Sequence, residues 1–182
     1  IPPLTDLREL IAASKEIEKS EDANTLPEKR WIAQLMQPGS SLGGARPKAN
    51  VVDKDRSIYV AKFPSLKDDY DAGLWEHFCH LLARNAGINV AETKVLEIND
   101  KHHTLLSRRF DRTDDGKRIH FASAMTLLGL NDGDNATTGH SYIDIVDFII
   151  SGCTDVDTNL RELFRRVAFN ICVGNSDDHF RN

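Results

Sequence analysis

Residues 58–63 read IYVAKF, an apolar run with strand character that contains one lysine, Lys62. A turn-forming segment at residues 53–56 separates this run from a second run of strand character at 50–52. Two short runs of strand character joined by a polar turn are typical of a β-hairpin. The sequence therefore predicts a hairpin over residues 50–63, with Lys62 near its end.

The next segment along the chain, residues 71–85, has the apolar spacing of an amphipathic helix and is followed by a helix-terminating glycine, Gly87. This helix carries Glu76. A lysine in a half-buried strand favours an opposite charge nearby, so Glu76 is the predicted partner of Lys62. The alternative is that Lys62 points to solvent from the other face of the strand.

The order of the remaining elements indicates the fold class. The pattern predicts an amphipathic helix over residues 4–19, a second short helix from Pro27, strands at 92–98 and 103–107, and helices at 122–128, 143–150 and 160–173. Strands with a few helices precede a run of helices, which is typical of an α+β protein with two lobes. We predict an N-terminal helical segment at 1–36, an N-lobe at 37–111 and the start of a helical C-lobe at 112–182.

Composition narrows the classes of partner. The 182 residues carry a net charge of -5, which offers no general electrostatic attraction to nucleic acid or to anionic lipid. No apolar run approaches the ~20 residues that cross a bilayer. The three cysteines are widely spaced and are predicted to be reduced thiols. We therefore expect a cytoplasmic protein that binds neither a membrane nor nucleic acid directly.

A glycine-rich segment precedes the hairpin, with the sequence GSSLGGARPK at residues 39–48. Small residues allow backbone amides to approach phosphate oxygens closely. The segment is not a Walker A motif, because Ala45 stands where that motif requires lysine. On its own, the segment favours a flexible loop.

A polar segment, GNSDDHFRN at residues 174–182, follows the last predicted helix. Asn182 lies five residues after Asp177, the spacing between the catalytic aspartate and the magnesium-binding asparagine of protein kinases. The alternative is a polar loop in which Asn and Asp form local turns.

A second charged segment, residues 106–112, begins at the end of the last predicted strand. It forms either an exposed backbone edge to which adenine could bind or a solvated strand end.

Three segments together, 41–48, 109–112 and 175–182, resemble the HipA family of bacterial toxin serine/threonine kinases in residues, order and spacing. The resemblance extends from about residue 37 to residue 182. It implies a two-lobed protein-kinase-like fold, with an N-lobe of antiparallel strands plus helices and a mainly helical C-lobe. It also implies a protein serine/threonine kinase that uses ATP and Mg²⁺.

The resemblance assigns catalytic roles to the polar segment after the last helix. Asp177 becomes the catalytic base or the carboxylate that orients the acceptor hydroxyl, and Asn182 becomes a magnesium ligand. His179 supports the same loop. A further magnesium-binding aspartate is expected beyond Asn182, so we expect the sequence to be a fragment that ends after the catalytic loop.

The resemblance also assigns a set of nucleotide-binding residues, which share contacts with the phosphates, the adenine or the ribose of ATP. They are Ser41, Gly43, Gly44 and Lys48 in the phosphate loop, Lys62 with Glu76, the backbone of Arg108 and Phe110, and Asp111 near the ribose. In this family a serine of the glycine-rich loop is phosphorylated, which switches the kinase off. Ser41 matches that position, and Ser40 is its neighbour.

By the same resemblance, the protein substrates are expected to be translation proteins such as an aminoacyl-tRNA synthetase, and the partner is expected to be a DNA-binding antitoxin.

Two other functions are also compatible with the sequence. Small-molecule phosphotransferases of the aminoglycoside-kinase type also carry Asp-x-His-x-x-Asn, although the serine-bearing loop argues against them. The third possibility is a catalytically inactive kinase-fold module that binds nucleotide or a partner protein.

Overall fold

The computed structural model describes residues 1–35, 46–98 and 101–181. Its helices are α1 (Leu7–Asp22), α2 (Lys29–Leu35), α3 (Ala72–Asn85), α4 (Ala124–Leu128), α5 (Tyr142–Gly152) and α6 (Val156–Val173), and short 3₁₀ turns span Leu4–Asp6 and Ala136–Thr138. Its strands are β1 (Lys48–Val52), β2 (Ile58–Lys62), β3 (Thr93–Leu96) and β4 (Thr104–Arg108). None of the described helices is long and apolar enough to cross a membrane.

The chain forms two compact units. Unit 1 comprises residues 1–82 and 90–119, and unit 2 comprises residues 83–89 and 120–182. Unit 1 contains the whole sheet and α1, whereas unit 2 contains α4, α5 and α6. The α+β class expected from the sequence is confirmed, and the boundaries predicted for the lobes stay a prediction.

Unit 1 is built on a four-stranded sheet in the order β1-β2-β4-β3, in which every neighbouring pair is antiparallel. The predicted hairpin is confirmed, because β1 pairs with β2 along its whole length. Its turn is stabilised by side chains: the carboxylate of Asp55 accepts hydrogen bonds from the backbone N–H and the hydroxyl of Ser57 at 2.9 and 3.0 Å. Lys48 and Lys62 are consequently direct cross-strand neighbours.

The core of unit 1 lies between the sheet and α1. Leu7, Leu10 and Ile11 of α1 are almost fully buried against apolar side chains of the strands, and Phe63 just after β2 is completely buried. Burial of such side chains contributes about 1.5–3 kcal/mol each. The N-terminal helical segment therefore shares one core with the sheet.

The start of α3 is attached closely to the residue before β4. The carboxylate of Asp71 accepts hydrogen bonds from the backbone N–H groups of Leu74 and His103, and it also contacts Nδ1 of the His103 ring at 2.5 Å. A Cβ atom at Gly73 would lie 2.3 Å from the carbonyl oxygen of His103. Only glycine allows this approach, which holds the helix that carries Glu76 against the sheet.

Substitution of this glycine tests the close approach. Gly73→Ala is expected to lower the free energy of unfolding by about 1–3 kcal/mol, because the backbone must move to accommodate the methyl group. Gly152→Ala is the matched control, since its Cβ would meet only the Phe148 ring at 3.8 Å. Urea denaturation measures the free energy of unfolding of both variants. Equal values for the two variants would contradict the predicted clash.

In unit 2, side-chain caps define where the helices begin. Ser141 caps α5 in a reciprocal capping box with Asp144, and Ser123 accepts a hydrogen bond from the backbone N–H of Thr126 at the start of α4. Helix α6 ends at Gly174, whose φ of 68° is in the left-handed region. This glycine redirects the chain into the polar segment that contains Asp177. The three helices expected in this part of the sequence are confirmed.

Candidate active site

Lys62 forms an ion pair with Glu76. The Nζ atom of Lys62, at the end of β2, lies 2.5 Å from Oε1 of Glu76 on α3, and the two side chains are 31% and 33% exposed. The structure thus supports the ion-pair interpretation of the lone strand lysine over the solvent-facing one. An ion pair of this kind fixes the direction of the ammonium group while leaving it accessible to a ligand.

A second lysine lies beside this pair. Lys48 on β1 is directly opposite Lys62 on β2, so both side chains project from the same face of the sheet. Burial, followed by the positive charge of Lys62, lowers the pKa of Lys48 below its ordinary value. Like charges in directly opposite cross-strand positions destabilise a sheet. The Glu76 carboxylate offsets part of this repulsion, and a bound anion would offset more of it, which makes the face suited to phosphate.

Arg46 anchors the end of the glycine-rich segment. Its guanidinium donates two hydrogen bonds to the carboxylate of Asp68, at 3.1 and 2.5 Å, and its Nε donates to the carbonyl oxygen of Phe63 at 3.1 Å. This bidentate pair positions the residues that lead into β1. Three of the predicted phosphate-loop residues, Ser41, Gly43 and Gly44, lie outside the described residues.

Asp111, predicted to lie near the ribose, is the acceptor for two arginines. Arg109 donates to both carboxylate oxygens, at 2.7 and 2.6 Å, and Arg112 donates to Oδ2 at 2.6 Å. Hydrogen bonding from Arg109 holds the pKa of Asp111 below its usual value, so this carboxyl group is ionised at neutral pH. Arg109 also donates to the side chain of buried Asn50 at 3.1 Å.

This arginine cluster ties the segment after β4 to β1. No individual role was predicted for Arg109, Arg112 or Asn50, although an asparagine within a strand-forming run indicates a buried polar contact. Contact of Asp111 with ribose stays a prediction.

The backbone next to this cluster restricts how adenine would bind. The N–H of Arg108 donates to the carbonyl oxygen of Glu92 at 2.8 Å, so it is already used within unit 1. A hydrogen bond from adenine to the backbone of Arg108 would therefore involve the carbonyl oxygen of that residue. The side chain of Phe110 is 64% exposed. Both adenine contacts stay predictions.

The loop after α6 presents Asp177 to solvent. The side chain of Asp177 is 94% exposed, and its backbone N–H donates to Oδ1 of Asn175 at 3.1 Å. The backbone N–H of Arg181 donates to Nδ1 of His179, so the neutral ring carries its proton on Nε2. That Nε2 atom lies 4.0 Å from Oδ1 of Asp177. The ring is thus oriented toward the carboxylate predicted to be catalytic.

The neighbouring carboxylate, Asp178, is held within unit 2. Its Oδ2 atom accepts hydrogen bonds from the hydroxyl of Tyr142 at the start of α5 and, at 2.6 Å, from Nδ2 of Asn170 in α6. Burial, together with the hydrogen bond to Asp178, raises the pKa of Tyr142 to about 12. No contact between these three side chains was predicted, since local patterns do not link Tyr142 to a residue 36 positions away.

The donor set around Asp177 fits a hard cation only in part. Carboxylate and amide oxygens are the ligands that Mg²⁺ prefers, and the exposed carboxylate of Asp177 provides one of them. Asn182, the predicted magnesium ligand, lies outside the described residues. Over residues 1–35, 46–98 and 101–181, no group of three His, Cys, Asp or Glu side chains is placed to hold a metal ion. Magnesium held mainly by ATP phosphates is compatible with this arrangement.

Comparisons with known proteins agree with this geometry. Residues 40–182 match the HipA-like C-terminal domain family. A curated Haemophilus influenzae protein named "Putative kinase" is 27% identical over 163 residues, which cover 80% of this chain and 47% of the relative.

A solved structure shows the same fold. HipA, in the complex of the Shewanella oneidensis MR-1 toxin–antitoxin proteins HipA and HipB with operator DNA, matches with a TM-score of 0.60 and 21% identity. The match covers 93% of this chain and 45% of that protein. The chain thus spans about half the length of the relatives it matches. The expected kinase-like fold and family are confirmed, and this chain belongs to the HipA-like C-terminal domain family.

Proposed function

We propose that this chain contributes the ATP-binding and phosphotransfer residues of an ATP- and Mg²⁺-dependent protein serine/threonine kinase from a bacterial toxin–antitoxin system. Family membership supports a kinase of the HipA type. The observation that carries the proposal is the cross-strand pair of Lys48 and Lys62, in which Lys62 is oriented by Glu76. Two lysines on one sheet face, one of them oriented by a carboxylate, form a positively charged surface suited to a phosphate chain.

In unit 1, the lysine pair would bind the phosphates of ATP. Lys62 would contact phosphate oxygens through the ammonium that Glu76 orients, and Lys48 would add a second positive charge on the same sheet face. Phosphoryl transfer depends on positioning and charge neutralisation more than on covalent participation by the protein. Bound Mg²⁺ would supply further neutralisation of phosphate charge.

In unit 2, Asp177 would act on the acceptor hydroxyl. Its exposed carboxylate would accept the hydroxyl proton, or orient that hydroxyl, while the acceptor oxygen bonds to the γ-phosphorus and the bond to ADP breaks. His179 would support this orientation through Nε2, which faces Asp177. Asn182 would be a magnesium ligand, as the spacing of the kinase loop implies.

The same proposal includes regulation by Ser41 and two classes of partner. The family resemblance implies that phosphorylation of Ser41 would switch the kinase off, since the phosphate would add about 1.5–2 negative charges to the loop expected to bind the phosphates of ATP. A DNA-binding antitoxin is proposed as partner, because the Shewanella HipA structure is a complex with HipB and operator DNA. Translation proteins such as an aminoacyl-tRNA synthetase are the proposed substrates, as the family resemblance implies.

Intact mass spectrometry tests the proposal. Wild-type protein incubated with Mg-ATP is expected to gain one phosphate on Ser41, whereas Ser41→Ala and Asp177→Ala are expected to gain none. A phosphate that persists in Asp177→Ala would indicate a contaminating kinase. Absence of phosphate on the wild type, both before and after incubation, would contradict self-inactivation and favour a module that binds nucleotide or a partner without transfer.

A further inference from the structure

Two adjacent carboxylates in the loop after α6 have opposite environments. Asp177 is 94% exposed, while Asp178 accepts hydrogen bonds from Tyr142 and Asn170. We propose that Tyr142, Asn170 and Asp178 are positioning residues that hold this loop so that the Asp177 carboxylate faces the acceptor hydroxyl. This inference rests on the proposed kinase function.

The two side chains that donate hydrogen bonds to Asp178 come from different helices, which is the first observation in support. Tyr142 lies at the start of α5 and Asn170 lies in the last turns of α6, so Asp178 joins the loop to two different helices. Hydrogen bonds to an ionised acceptor are roughly twice as strong as those between neutral groups. Because Asp177 and Asp178 share a peptide bond, fixing the Asp178 side chain restricts where the Asp177 side chain can go.

The second support is that Asn170 uses both ends of its amide. Its Nδ2 donates to Asp178 at 2.6 Å, and its Oδ1 accepts from Nδ2 of Asn175 at 3.3 Å. Asn175 in turn accepts from the backbone N–H of Asp177 at 3.1 Å. Asn170 is thus connected to the catalytic candidate from both sides, directly to Asp178 and through Asn175 to Asp177. An aspartate at position 170 would lose the donor and face Asp178 with a like charge.

The third support is that the far end of the loop is held independently. The carbonyl oxygen of Phe180 accepts a hydrogen bond of 2.7 Å from the backbone N–H of Met125 in α4, and Arg181 pairs with Asp132. The loop is therefore attached on both sides of Asp177. Loss of the Tyr142 contact should loosen the Asp177 region without releasing the whole loop.

The state of the Tyr142 hydroxyl is consistent with this role. Its raised pKa, about 12, keeps the phenol protonated and able to donate throughout the neutral range. The side chain needs only its hydroxyl for the contact with Asp178. Tyr142→Phe removes that hydroxyl and retains the ring, which makes it the sharpest single variant.

The test combines kinetics with amide hydrogen exchange on the purified protein. Tyr142→Phe is expected to lower kcat about tenfold, the effect of losing one charge-assisted hydrogen bond, and Asp178→Ala, which loses the bonds from both Tyr142 and Asn170, is expected to lower kcat at least as much. The KM for ATP should stay within about twofold, because ATP is bound by other residues. Asp178→Asn retains an acceptor oxygen and should restore most of kcat. Tyr70→Phe is the matched control, since Tyr70 is 62% exposed in unit 1 and should leave every parameter unchanged.

Hydrogen exchange distinguishes failure of this inference from failure of the proposed function. The backbone amide of Asp177 is expected to exchange several-fold faster in Tyr142→Phe than in wild type, without ATP present. Unchanged exchange and unchanged kcat in that variant would overturn the inference. An equal fall in kcat for Asp178→Asn and Asp178→Ala would also overturn it. If wild type transfers no phosphate, the proposed function fails and exchange alone decides whether these residues hold the loop.

Discussion

Replacing Asp177 by asparagine is expected to lower the rate of phosphoryl transfer by roughly 10²–10⁴-fold, the usual contribution of a positioned general base. Asparagine retains the shape of the side chain and its hydrogen-bonding oxygen, but it accepts no proton from the acceptor hydroxyl. The Asp177 side chain is 94% exposed, so the substitution should leave the melting temperature unchanged. The measurement is the initial rate of phosphate incorporation at saturating Mg-ATP.

The matched control for this experiment is Asp147→Asn. Asp147 is an exposed aspartate on α5, and no role is assigned to it. Both variants lose one negative charge from unit 2, so a purely electrostatic effect of net charge would appear in both. A loss of less than about fivefold in Asp177→Asn would contradict the assignment of Asp177 as base or orienting carboxylate.

Removing either lysine of the cross-strand pair is expected to weaken nucleotide binding. Lys62→Met should raise the Kd for a non-hydrolysable ATP analogue with Mg²⁺ about 10–100-fold, because a hydrogen bond to a charged phosphate is worth about 1.5–3 kcal/mol. Lys48→Met should weaken binding in the same direction. Isothermal titration calorimetry measures both, with the exposed Lys67→Met as the control for loss of one positive charge from unit 1.

Stability provides an independent readout for the same pair. The pKa of Lys48 is lower in the folded chain than its ordinary value, so its ammonium form destabilises the fold at neutral pH. This destabilisation disappears as the pH rises through the lowered pKa toward the ordinary one. Lys48→Met is therefore expected to raise the melting temperature at pH 7 while it weakens nucleotide binding. A variant that loses stability and binds nucleotide normally would contradict a binding role for this pair.

Local sequence patterns account for much of the fold. The hairpin, α3 with its glycine after the last turn, and the helices of unit 2 follow from apolar periodicity and from turn residues that act within a few positions. The ion pair of Lys62 with Glu76 could also be predicted, because a lone charge in an apolar strand favours a partner of opposite charge on the next amphipathic element. Asp177, in the loop at 174–181, was identified because it lies five residues before Asn182.

Other features depend on which distant residues meet. Strand register places Lys48 opposite Lys62, and a shift by one residue would send the two ammonium groups to opposite faces of the sheet. Arg109 contacts Asn50 across 59 positions of sequence. Local sequence does not identify the partner in either contact, because periodicity reports only the face on which a side chain lies.

Local periodicity and motif spacing are enough to predict the α+β class, the order of helices and strands, and the segments that resemble the HipA family. The three-dimensional structure was needed to show that α1 shares its core with the sheet, that Asp111 accepts from two arginines, and that Asp178 accepts from Tyr142 and Asn170. Hydrogen bonds and ion pairs act over a few ångströms, so their partners are known only once packing has brought distant parts of the chain together.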